Sequence, residues 1–111
     1  MRYGVRMART FVRVELVTSD VARAAAFEVA MAKAGFSHTV KGRRSHRALR
    51  LPEGMYVITE ITPVEALELT RDVARDTKIE ARIFCLPVSG GVKFGNLMVH
   101  DDASSAVLIE A

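Results

Sequence analysis

The run Lys41-Gly42-Arg43-Arg44-Ser45-His46-Arg47-Ala48-Leu49-Arg50 holds five of the sixteen basic residues in ten positions, with a histidine among them and no acid. Lysine and arginine that neutralise phosphates release counterions, so a cluster of this kind is suited to grasping a nucleic-acid backbone. Lys41, Arg43, Arg44, Arg47 and Arg50 are the phosphate-binding candidates, with RNA as the partner. The plainer reading is a solvated loop tip that keeps the protein soluble. The cluster contains no aromatic residue, which argues against a base-stacking platform at this place. His46 lies within the run and His38 just before it. Imidazole transfers protons near neutrality, and cleavage by a 2′-hydroxyl needs a base, an acid and cations around the phosphate. His46 is therefore a catalytic candidate, set against the reading of an exposed hairpin histidine as a bystander.

Metal-dependent cleavage would need converging carboxylates instead. Glu15 and Asp20 are the acids near the basic half, and Asp20 is the second catalytic candidate. Each has a structural alternative: Asp20 as the cap of a helix beginning near Val21, and Glu15 as the cross-strand partner of Arg13 or Arg82. His100-Asp101-Asp102 reads as a linker, since adjacent residues rarely chelate one ion alone. Cys85 reads as a packed apolar residue, and Ser89-Gly90-Gly91-Val92-Lys93 as a turn without P-loop spacing. No cofactor is indicated, and a divalent metal is admitted only through Asp20.

The chain that must position these groups has 111 residues, half of them hydrophobic and 26% charged, which suits one domain with a core of its own. A single cysteine excludes an intrachain disulfide and fits a reducing cytoplasm. No run approaches the roughly 18 apolar residues of a membrane span. The net charge of +3 conceals an asymmetry. Residues 1–50 carry 11 Lys/Arg against 3 Asp/Glu, and residues 51–111 carry 5 against 10. Such separation suits a basic face for a polyanion, or association between oppositely charged surfaces.

Residues 1–9 read as a leader, 10–99 as the domain and 100–111 as a tail. From Thr10, Val12, Val14 and Leu16 alternate with Phe11, Arg13, Glu15 and Val17, the pattern of a half-buried strand. Ala24, Phe27, Met31 and Ala34 then recur at helical spacing up to Gly35, a residue suited to the left-handed exit of a helix. Residues 36–41 and 48–51 suggest a hairpin with a charged tip, Pro52-Glu53-Gly54 a bulge or turn, and residues 55–59 the rest of a bent strand. Thr62-Pro63-Val64-Glu65 spells a capping box with proline at the first helical position. Residues 79–86 alternate as a fourth strand and 92–99 suggest a fifth, shorter one. The apolar end at 106–109 would dock on its own core or on a partner subunit. The order is the split βαβ arrangement, an α+β fold in which an antiparallel four-stranded sheet packs two helices on one face. The other face would carry Phe11, Arg13, Glu15, Val17 and either Phe84 or Cys85, a mixture too apolar for open water, so a second copy or a ligand should cover it.

The segments Thr10-Phe11-Val12-Arg13-Val14-Glu15-Leu16, Ala30-Met31-Ala32-Lys33-Ala34-Gly35-Phe36-Ser37 and Leu51-Pro52-Glu53-Gly54-Met55-Tyr56 resemble small bacterial proteins related to the GhoS endoribonuclease antitoxin family. The likeness covers residues 10–86. It implies a ferredoxin-like βαββαβ fold similar to that of the small CRISPR-associated endoribonucleases, with homodimers, RNA binding and cleavage of a toxin message. In those relatives an Asp ends the first strand; here Val17-Thr18-Ser19 intervene and Asp20 comes late. The expectation is a cytoplasmic, dimeric RNA-binding protein of endoribonuclease type. The competing expectation is a non-catalytic dimeric module that holds a protein partner through its sheet face and tail.

Overall fold

The computed structural model describes residues 9–42, 48–88, 98–100 and 107–109. The alternation read from residue 10 onward becomes β1 (Arg9–Leu16), whose Val12 and Val14 are buried on one face while Arg13 and Glu15 stay exposed on the other. α1 (Val21–Lys33) begins where the Asp20 carboxylate accepts hydrogen bonds from the amides of Ala22 and Arg23. It gives way at Gly35, whose φ of +106° is costly for any residue with a Cβ. α2 (Pro63–Asp76) starts with the full capping box, Thr62 accepting from the Glu65 amide and the Glu65 carboxylate from the Thr62 amide. These reciprocal bonds satisfy two of the amides that every helix start leaves without a partner.

Between and after the helices lie β2 (Thr39–Gly42), β3 (Ala48–Arg50), β4 (Met55–Thr59), β5 (Ala81–Val88), β6 (Met98–His100) and β7 (Val107–Ile109). The domain is α+β, with two helices against an antiparallel sheet ordered β4-β1-β5. The core between them contains Val12, Phe27, Met31, Tyr56, Ile58 and Ala66. Among the described residues no helix is long and apolar enough to cross a membrane.

The expected second strand does not simply extend this sheet. A second sheet, β6-β3-β2-β7, takes it, and one antiparallel bridge between Ser37 and Val57 joins the two. At that bridge the amide of each residue donates to the carbonyl of the other at 2.8 Å. Two residues later β2 pairs with β3 instead, Thr39 opposite Arg50, so residues 52–56 are left without a partner on β2. The reason lies in their composition. Pro52 has no amide to donate, and Gly54 has a φ of +83°. The turn is also pressed onto β1, with the Val14 amide donating to the Gly54 carbonyl at 2.7 Å. A Cβ at position 54 would stand 2.6 Å from the Val14 carbonyl oxygen, where no side chain can yield. Gly54→Ala is expected to destabilise the fold by about 2 kcal/mol, from backbone strain and the clash together. A urea titration checks this; an unchanged midpoint would mean that the turn can leave β1 without loss.

Other boundaries move for local reasons. The fourth expected strand begins at Ala81, because Lys78 takes a left-handed φ of 58° and the Ile79 amide still bonds the Ala74 carbonyl of α2. The fifth is β6, on the edge of the second sheet, and residues 89–97 lie outside the described residues. The apolar tail forms β7, parallel to β2 with Val40 opposite Val107, and so joins its own domain. A second apolar cluster of Phe11, Val40, Leu51 and Val57 fastens the two sheets together on the side away from the helices.

Candidate nucleic-acid interface

The basic run sits on the hairpin made by β2 and β3. Thr39 pairs with Arg50 and Val40 with Leu49, and the chain between the two strands is the segment that holds Arg43, Arg44, His46 and Arg47. Those four candidates lie outside the described residues. The hairpin root is firm: Val40, Thr39 and Ala48 are almost fully buried, and the Ser37 hydroxyl accepts from the Thr39 amide at 3.1 Å. The pairing would therefore hold the two ends of the basic segment together against an ordered base.

The described cations of the cluster differ in what they have available. Lys41 is a half-buried residue of β2. Arg50, on β3, lies 3.6 Å from the Glu28 carboxylate of α1, both side chains being two-fifths to one-half exposed. A pair of that exposure is worth under about 1 kcal/mol, yet it lowers the charge Arg50 can offer a phosphate. Asp20 is occupied as a cap: its Oδ1 accepts from the amides of Ala22 and Arg23 at 3.0 and 3.2 Å, and Oδ2 is 3.9 Å from Arg23 Nε. Glu15 pairs with Arg82 at 3.3 Å, one of the two partners expected for it. Among the described residues no three His, Cys, Asp or Glu side chains converge so as to hold a metal ion. Cys85 packs against the helix-side core, and burial pushes its thiol up, away from thiolate chemistry.

Behind Glu28 and Arg50 stands Tyr56, which the sequence did not single out. Its ring is edge-on to Phe27 and Phe36, with centroids 6.4 Å away in both cases, and only 6% of the residue is exposed. Burial and the Glu28 carboxylate push its phenol up to about 12, against the opposing pull of Arg50. The folded state thus keeps a proton that the unfolded chain releases near the ordinary value of 10.0. Below pH 10 this contribution to stability is fully present; it is lost as pH rises from 10 toward about 12. Urea midpoints measured over that window should fall more steeply for the wild type than for Tyr56→Phe. Equal slopes would mean that the phenol titrates freely.

The register also resolves the open face. Cys85 pairs with Val12 and turns toward the helices, whereas Phe84 pairs with Arg13 and turns outward. Phe84 is 64% exposed and Leu86 48%. With Phe11, Arg13, Glu15, Met55 and Arg82 they surround a shallow depression of about 570 Å³. The alternation of β1 and β5 contains the signal for this surface; the pairing that sets Phe84 beside Arg13 is what the sequence alone left open. No protein-family model matches the chain, and no curated protein matches it.

Proposed function

We propose that this is an RNA-binding domain of ferredoxin-like architecture, and that the β2–β3 hairpin is its grip on the phosphate backbone. One observation carries the reading: the antiparallel pairing of residues 39–40 with 49–50 brings together, on a buried root, the two ends of a ten-residue run with five cations and no acid. The ferredoxin-like order is supported by the sheet β4-β1-β5, to which the Ser37–Val57 bridge adds the start of the second strand beside β4. In that reading the edge hairpin peels away after Ser37 and is completed by β6 and β7. Cleavage is a further proposal and rests on His46 as acid or base, since Asp20 serves α1 as its cap.

Titrating labelled RNA across a salt series tests the binding. The expected result is a linear fall of log affinity with log salt. No affinity, or affinity without a salt slope, would sink the reading. Preparations of wild type and His46→Ala, assayed side by side with and without chelator, test the cleavage; equal degradation by both would remove His46 from it.

A second reading, a non-catalytic homodimeric module, is favoured by the exposure of Phe84 and Leu86 on the sheet face. It expects a concentration-dependent mass in sedimentation and no RNA affinity at physiological salt.

A further inference from the structure

The aromatic residue that the basic run lacks stands on the open sheet face. We propose that this face, centred on Phe84 and flanked by Arg13 and Arg82, is a stacking platform for the unpaired bases of a single-stranded RNA. The inference rests on the RNA-binding reading and extends it to the class of RNA and to a second contact surface.

Three observations support it. First, the ring is presented. Phe84 is 64% exposed on a strand whose alternate residues pack into the helix-side core, so the fold presents it toward solvent. Any base offers a flat π-face to such a ring, whatever its sequence.

Second, the face is cationic. Arg13 lies directly across from Phe84 and Arg82 across from Glu15, which places both guanidinium groups on the same surface as the ring. Arg82 is shared with Glu15 at 3.3 Å, while Arg13 has no carboxylate partner among the described residues. Two arginines against one glutamate leave a positive excess. A second copy seated here by a two-fold axis would bring four guanidinium groups against two carboxylates, beside four exposed apolar side chains, and would bury cationic charge without a partner. Phosphates supply the missing negative charge, and arginine also stacks on bases.

Third, the platform and the hairpin are continuous. Phe11 and Met55 line the depression beside Phe84, and the same two residues pack with Val40 and Leu51 at the root of the hairpin. A strand gripped by the hairpin could thus lay its next bases on the sheet.

The chain contains no tryptophan, so Phe84→Trp introduces a single fluorescent reporter at the stacking position. The experiment titrates this variant, Phe84→Ala and the wild type with a single-stranded oligouridylate and with an RNA duplex of equal length, over a salt series. Stacking is worth roughly tenfold or more per base. Phe84→Ala is therefore expected to bind the single strand about tenfold more weakly with an unchanged salt slope, and to bind the duplex as the wild type does. The indole fluorescence of Phe84→Trp should be quenched by the single strand alone. Quenching that fails to appear, while salt-dependent binding persists, overturns the platform and leaves the hairpin reading standing. Quenching whose salt slope is unchanged when Arg43, Arg44 and Arg47 are also replaced by alanine supports the platform and overturns the hairpin. Loss of a dimer in Phe84→Ala with no change in RNA affinity overturns the proposal and gives the face to a second copy.

Discussion

Replacing Arg43, Arg44 and Arg47 together by alanine is expected to lower the affinity for single-stranded RNA about fifty-fold at 0.15 M salt, because each phosphate contact to a single strand contributes about 0.7 to the salt slope. Three lost contacts take roughly 2 from that slope. The wild-type and variant lines should consequently converge as salt approaches 1 M, a behaviour that loss of folding would not produce. Arg50 behaves differently in this picture. Its guanidinium is shared with Glu28 at 3.6 Å, so Arg50→Ala should change the slope by less than one full contact. Equal slopes for wild type and triple variant would remove the basic run from RNA binding, whatever affinity remained.

Fold and site were legible in the sequence to different depths, for identifiable reasons. Short-range chemistry was readable: the Thr62–Glu65 box and the left-handed Gly35 are each decided by a few neighbouring residues, and of the two readings open for Asp20 the structure shows the cap. The alternation of β1 and β5 gave each strand two faces, but whether Phe84 or Cys85 lies on the open one was decided only by the register that sets Phe84 beside Arg13. The second sheet was not readable in the same way. β3, β6 and β7 have three residues each, too few to show a period, and β7 reaches β2 by a parallel pairing from the far end of the chain. The hairpin of β2 with β3 was read from the sequence, and Pro52 and Gly54 announced a break, but not its consequence, the placement of that hairpin in a second sheet apart from β4. For the site, the density of charge at residues 41–50 was visible as composition. That Arg50 meets Glu28 was not, since their approach depends on how α1 lies over the hairpin root.

That same helix is the place where one substitution should cost the fold most. Only Phe27 and Met31 are buried on α1, whereas α2 buries Ala66, Thr70, Val73 and Ala74 along a strongly amphipathic face. Phe27 is 1% exposed and meets Tyr56 edge-on, as Phe36 also does. Phe27→Ala removes the larger of the two anchors and leaves a cavity that the sheet cannot close, because Val12 and Tyr56 are fixed by the β1–β4 ladder. The expected cost is about 3–5 kcal/mol, a large share of the roughly 5–15 kcal/mol that holds a domain folded. Phe27→Leu should cost less, since it keeps most of the apolar contact in a smaller volume. Phe84→Ala, at the solvent side of the same sheet, should leave the unfolding free energy from urea titration within about 0.5 kcal/mol of wild type. A Phe27→Ala protein with a wild-type midpoint would mean that α1 is not held by its apolar stripe. Glu28, one residue along the helix, would then hold Arg50 at the hairpin root without the packing that now sets its position.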